Sequence, residues 1–378
     1  MLSIINVVLL IFLTYVWNNQ PLFTGENLLQ YSWVEYIKGA LGIRQMHATD
    51  DAVFINVGYD KKLITRTDEF GLPIGNTSIT DRQSLIELLR KLNASDAYEF
   101  IFLDVIFEKG YEDIETDSLL IEELKRTKRI VLATHPDVSL MDSTLETMAA
   151  LNNYYATIVA TNFTRYQYSS DEKPSMPLFV YNRQTGHSIE KTGPFYFCNG
   201  KLCYNSIFVR FPYVGIDEYK ADGEKQFYNL GSDILSSYSD EDLSELCKGK
   251  YVFIGDMIED LHDTYSGVKA GPTITYYAYK ELQEGRHFAN YLLALFLAIL
   301  FFFISISLLK RNSWYDRIPW VTLQKSKALR FLMSFVGYTF ILALSSIVLG
   351  LFFDRYISIL LPSLYFSLQK LIIDYKRM

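Results

Sequence analysis

Four acids and one imidazole crowd into Gly255-Asp256-Met257-Ile258-Glu259-Asp260-Leu261-His262-Asp263, the densest run of side chains here that could bind or move charge. Such oxygen clusters suit hard cations, and His262 would extend the set to zinc or iron. The same residues equally suit a solvated acidic loop whose aspartates cap helices. Asp104 is a second point of interest, because it interrupts the apolar run 100–107. An ionised carboxylate there is strongly disfavoured unless paired or hydrogen-bonded. Two readings stand for it: an acid facing the ligand crevice at the carboxyl end of a parallel strand, or a structural acid paired with Arg82 or capping a helix.

Catalytic signatures are sparse. The Gly-Asp step at 255–256 is shared with two-metal phosphoesterases, but their Asp-x-His element upstream and Gly-Asn-His element downstream are missing, and Asp51 and Asp104 are each followed by apolar residues. Neither a Gly-x-Ser-x-Gly elbow nor a Gly-x-x-x-x-Gly-Lys-[Ser/Thr] phosphate loop occurs. His47, His135, His187, His262 and His287 are scattered, and only His135-Pro136-Asp137, just after a strand-like run, is placed to line a crevice or make a turn. The expectation is a non-enzymatic protein with no resident metal or cofactor.

The elements that must position these residues alternate between strand-like and helix-like, the mark of an α/β layer fold. Buried strands are expected at 52–58, 100–107, 130–134 and 251–254. Helices are expected at 81–92, where apolar residues fall at 85, 86, 88, 89 and 92 behind a capping Asp81, and at 117–125 and 273–282. This order favours a mostly parallel sheet covered by helices on both faces. Residues 166–177 and 217–246 are loop-like in composition and expected on the surface.

The ends of the 378-residue chain are written for lipid. Apolar runs occupy 2–17, 289–309, 331–353 and 356–373, and a bilayer core takes about 20 such residues to cross. The first lacks the basic start and small-residue cleavage pattern of a signal peptide, so an anchor is favoured. The last carries Pro362, Gln369 and Lys370, leaving an interfacial helix as its alternative. Lys310, Arg311, Arg317, Lys325, Lys327 and Arg330 crowd the connector between the second and third runs, and Lys376 and Arg377 end the chain, which places connector and C-terminus in the cytoplasm. Trp17, Trp33, Tyr291, Trp314, Trp320 and Tyr356 fit an interfacial aromatic belt. The division expected is an anchor at 1–18, an extracytoplasmic domain at 19–288, spans at 289–309 and 331–353 around a cytoplasmic loop at 310–330, and a fourth span with a short tail at 354–378.

Of the 36 Lys and Arg and 43 Asp and Glu, ten and three lie in 289–378, which leaves 26 against 40 and a net charge of −14 in 1–288. So acidic a domain is unsuited to nucleic acid or to anionic surfaces. Cys198 and Cys203 bracket Asn199-Gly200-Lys201-Leu202, which reads as a hairpin. A four-residue loop would set the two cysteines opposite each other for a disulfide; a two-residue turn would displace them as free thiols. Cys247 reads as a small buried hydrophobe.

Taken in order, Thr80-Asp81-Arg82, Phe102-Leu103-Asp104-Val105-Ile106-Phe107, Asp117 with Leu119-Leu120, Gly249-Lys250-Tyr251-Val252-Phe253-Ile254-Gly255-Asp256, Asp263-Thr264 and Gly271-Pro272 give a chain that resembles the type-two CHASE sensory domain over most of 25–288. Two departures are visible: 75–79 replaces a tryptophan-proline element, and the helix after Pro272 carries Tyr276 and Tyr277 instead of alanines. The resemblance implies an extracytoplasmic module that binds a small ligand, followed by membrane helices. Asp81, Arg82, Asp104, Asp117, Gly255, Asp256, Asp260, His262, Asp263 and Thr264 are the candidate ligand-binding residues. Family members commonly continue into a cyclase, kinase, phosphodiesterase or peptidase. Here 373 is followed by five residues, so a separate signalling or envelope protein is expected as the partner.

Overall fold

The computed structural model describes residues 2–19, 25–42, 50–67, 70, 72–111, 113, 115–152, 165–170, 173–211, 225–310 and 326–375. Six strands form one sheet in the spatial order Phe227–Asn229, Ala52–Asn56, Tyr251–Gly255, Phe100–Asp104, Ile130–Thr134 and Ala149–Leu151, with every neighbouring pair parallel. Because side chains alternate across a strand, each strand feeds two cores. Val53, Ile55, Ile101, Leu103, Leu132, Val252 and Ile254 pack on one face under the helices Arg82–Ser95, Asp117–Arg126 and Asp240–Cys247. Phe54, Phe102 and Phe253 face the other way, toward the helices Met176–Thr185 and Gly271–Gln283. Both faces are therefore apolar, which is why the strands read as unbroken hydrophobic runs.

The second face is built from rings. Register aligns Phe54, Phe253 and Phe102 across three adjacent strands, and they stack at centroid distances of 5.4 and 4.4 Å. Tyr276 meets Phe54 and Phe253 edge-on and donates its hydroxyl to Asp51 at 2.7 Å. Tyr276 and Tyr277 are thus core residues, both buried.

Several boundaries differ from the sequence expectation. The 100–107 run ends as a strand at Asp104. Residues 166–170 and 173–177 are not a surface loop: they carry short strands and the start of a helix, with Tyr166 and Tyr168 buried, while 171 and 172 lie outside the described residues. Within 217–246, residues 217–224 lie outside the described residues, and the remainder supplies the edge strand Phe227–Asn229, the π-helical turn Leu230–Leu235 and most of the helix Asp240–Cys247. His287 is fully buried, packed against Tyr181 and Phe288.

Among the described residues, two helices are long and apolar enough to cross a membrane, Tyr291–Leu309 with 19 residues and Lys327–Phe353 with 27, and only 28% of the most apolar 18-residue stretch of each is buried. A narrow stripe, Leu293, Leu297, Phe301, Ser305 and Leu308, faces the helical bundle while Leu292, Leu295, Ile299 and Phe303 stay exposed. Leu2–Asn18 is apolar but shorter, and it packs on Tyr291–Leu309. The last helix starts at Leu360, not at 356, because Tyr356 to Ile359 run as non-helical chain ahead of Pro362. Gly25–Ala40, counted with the soluble domain in the sequence, is a helix lying on Lys327–Phe353. Tyr356 sits in an aromatic cluster with Tyr31 and Phe208 instead of an exposed belt, whereas Trp33 and Tyr291 are exposed. His47, Trp314, Trp320, Lys376, Arg377 and the connector residues Arg311, Arg317 and Lys325 lie outside the described residues.

An ionic lattice joins the two halves. Buried Glu281 holds Arg210 at 2.6 Å and Arg286 at 3.5 Å, Arg210 also binds Glu284, and Asp354 takes Lys38, Arg210 and Arg286. Glu281→Ala would remove the buried carboxylate that Arg210 and Arg286 share and leave them to Glu284 and Asp354, so the expected loss is about 3 kcal/mol, the low end for breaking a buried pair, readable as a lowered melting temperature of the full chain in detergent.

The hairpin settles the cysteine alternatives by register. Cys198 pairs with Lys201 and Tyr196 with Cys203, closing a two-residue turn in which Asn199 and Gly200 both take positive φ. The four-residue loop that would oppose the cysteines does not form; they lie diagonally on one face as free thiols, and Cys247 is free as well. Burial pushes the thiols of Cys203 and Cys247 up to about 12. Titration of the unreduced chain should give three thiols after denaturation and almost none before; recovering only one would mean that Cys198 and Cys203 are bridged.

Candidate functional site

The parallel register brings Asn56, Gly255 and Asp104 to one level at the carboxyl ends of three central strands. Asn56, fully buried, fixes the loops that leave there: its amide donates to Asn229 at 2.8 Å and its carbonyl accepts from the Gly58 and Met257 backbone N–H, each at 2.9 Å. A cleft of about 720 Å³ opens above this edge, in the crevice where open α/β sheets bind ligands. Its volume lies within the range of about 300–1,000 Å³ typical of small-molecule sites.

Asp104 stands at the floor. Its Oδ1 accepts from the Asn152 amide, and Asn152 in turn accepts from Thr275 at 3.4 Å. Its Oδ2 is buried and has no hydrogen-bond partner among the described residues. Burial pushes the Asp104 carboxyl up to about 7; neighbouring Asp260 adds to the rise, while the Asn152 amide and His262 offset part of it. Asp260 in turn contacts His262 Nε2 at 2.9 Å.

Asp256 is held in the opposite sense. Burial works against its charge, yet the Lys61 ammonium at 2.8 Å and the backbone N–H groups of Glu259 and Ile258 outweigh it and keep the carboxyl below the usual range. One acid of the cleft is thus poised near neutrality and the other is firmly ionised.

Glycines allow this crowding. A Cβ at Gly271 would lie 1.9 Å from Asp260 Oδ2, and one at Gly255 would lie 2.6 Å from Pro272 and 2.9 Å from Asp104. A side chain at Gly255 would press on the helix start at Pro272, and one at Gly271 would displace the Asp260 carboxylate.

The remaining candidates divide cleanly. Arg82, Asp104, Asp256, Asp260 and His262 line the cleft, as does His135. Asp81 caps the Arg82–Ser95 helix, accepting from the Gln83 and Ser84 N–H groups. Arg82 is buried, lies over the Phe107 ring and contacts Asp117 at 3.4 Å, so its acid is Asp117, not Asp104. Asp117 also accepts from the Asp113 N–H. Asp263 is exposed on the hairpin formed by Leu261–Thr264 and Gly267–Ala270, and Thr264 bonds across that turn to Gly267, so neither lines the cleft. Among the described residues, no three His, Cys, Asp or Glu side chains converge as a metal would require.

Lys61, Asn152, Tyr166 and Thr275 also line the cleft. Each comes from a different part of the chain, and none carries a local motif. Only the general rule that residues just beyond parallel strands face the crevice could have found Asn152, one position past Leu151.

No family model matches the chain, and no curated protein or solved structure does either.

With Asp104 protonated in the folded state and ionised at about 3.8 when unfolded, stability is lost as pH rises from about 4 to 7 and then stays flat. The sign follows because the unfolded chain binds fewer protons across that window. The loss is at most about 4 kcal/mol at about 1.4 kcal/mol per pH unit. Asp104→Asn should remove this slope from a plot of melting temperature against pH and make the protein more stable than wild type at pH 8.

Proposed function

We propose that this chain is a membrane-anchored extracytoplasmic binding protein whose cleft takes a small polar ligand and whose helices carry the occupancy signal to a separate partner. The observation that carries the reading is the buried, unpartnered Oδ2 of Asp104 on the floor of a cleft of ligand size. A hydroxyl, amine or ammonium group would supply the missing donor, and Asp260 and Asp256 favour a neutral or cationic ligand over an anionic one.

A physical route leads from that floor to the membrane helices. Gly271–Gln283 begins against Asp260 and ends at the lattice of Glu281, Arg210, Arg286 and Asp354. Thirteen residues make a rod about 20 Å long. A ligand that shifts the start of this rod repacks the charged contacts at its far end, where Asp354 caps the helix Lys327–Phe353. Support for the route is spatial continuity, which becomes coupling only if ligand and helix bias the same two states.

Screening polyols, amines, amino acids and simple cations against the full chain in detergent tests the binding half. A ligand present at a hundred times its Kd adds about 2.7 kcal/mol of stability. At least one class should raise the melting temperature in wild type and fail to do so in Asp104→Ala; no shift from any class would remove the binding reading. Reporter fusions within 310–330 and after 378 should both read as cytoplasmic.

A scaffold role in an envelope complex has one observation of its own. The arm formed by Lys61–Thr67 and Pro73–Thr80 exposes Leu63, Phe70, Leu72 and Ile74 at 59–79% of their surface. Apolar side chains grouped in this way mark protein contact sites. Crosslinking in native membranes distinguishes the readings, because a scaffold would trap a fixed partner through this arm with the cleft empty.

A further inference from the structure

A second cavity of about 440 Å³ lies where the helices Leu2–Asn18 and Tyr291–Leu309 meet the globular domain. The helices contribute an apolar wall from Val8, Ile11, Phe12, Leu293 and Leu297. The domain side and its junction contribute Arg165, Arg286 and Arg355, with Glu281 and Asp354 as the acids. The cavity is therefore amphipathic, oily on one wall and charged on the other.

Its charges do not cancel. Glu281 and Asp354 are engaged by Arg210, Arg286 and Lys38. Arg355 donates instead to neutral acceptors, the carbonyls of Arg286 and Phe288, while Arg165 lines the same cavity. Burial, together with the adjacent Arg286, pulls the Arg355 guanidinium below its ordinary range, and Glu281 offsets only part of that fall. The apolar wall meanwhile runs out to the molecular surface, since Val8 lines the cavity and is 63% exposed.

We infer that this cavity seats an anionic lipid from the surrounding bilayer, its acyl chain between the two helices and its head group against Arg355 and Arg165. The inference rests on the membrane reading above. A phosphate or carboxylate head would supply Arg355 with a countercharge, and the chain would cover Ile11, Phe12 and Leu297. Lipid would then bind beside the lattice that joins domain and bundle, about one helix length from the ligand cleft.

The full chain, reconstituted in phosphatidylcholine vesicles with a minor fraction of acyl-diazirine phosphatidylglycerol, is photolysed and the adducts mapped. Adducts should concentrate at residues 8–15 and 293–297 and fall about tenfold when the probe is diazirine phosphatidylcholine. Ala294→Trp, which fills the cavity, should remove them, and Arg355→Gln should erase the preference between head groups. Equal labelling by both probes, labelling spread evenly over the outer faces of all helices, or an unchanged pattern in a folded Ala294→Trp chain would each overturn the lipid site. Should that variant not fold, the wild-type map and Arg355→Gln decide. Carbonate extraction separates the premises: a chain released to the soluble fraction defeats anchoring and lipid site together, whereas a retained chain without selective labelling defeats the lipid site alone.

Discussion

Parallel pairing that stops three central strands at one level is the constraint on which the cleft depends. Asn56, Gly255 and Asp104 are register partners, so the loops after each strand leave side by side, and the backbone groups freed there need a shared acceptor. Asn56 supplies it with a single buried amide. The gap above exists because two of the neighbouring positions are glycine, which lets a helix start close to two carboxylates without displacing them.

Within that frame, two aspartates of the same type are driven apart by what surrounds them. Asp256 is met by an ammonium and two peptide N–H groups; Asp104 is met by one amide and another acid. Identical chemistry thus yields a fixed charge and a group that can change charge near neutral pH. The same contrast recurs at the domain base, where Glu281 is buried yet ringed by guanidinium groups, so burial and pairing oppose each other.

Much of the architecture was legible in the sequence because both strand faces are buried. The runs expected at 52–58, 100–107, 130–134 and 251–254 needed no partner information and hold the strands Ala52–Asn56, Phe100–Asp104, Ile130–Thr134 and most of Tyr251–Gly255, and Asp81 marks its helix start by chemistry alone. The edge strand Phe227–Asn229 escaped because three residues beside a polar stretch carry no periodicity, and Tyr166 and Tyr168 escaped because serine and proline around them imitate a loop. Asp104, Asp256 and Asp260 were readable as acids at or beyond strand ends. The division of labour within it was not, since Arg82 could equally have met Asp104 or Asp117, and only the packing of Arg82 against Phe107 decides between them. Asp263 looked equivalent to Asp260, yet hairpin pairing turns it to the outside.

The helix beginning at Leu360 is 16 residues long, about 24 Å, beside a neighbour of 27 residues and about 40 Å. Tyr356 to Ile359, the non-helical residues just ahead of the shorter helix, are all buried. Peptide groups outside a helix need such cover wherever water is scarce, so the protein around this joint must seal backbone that a continuous helix would have satisfied by itself.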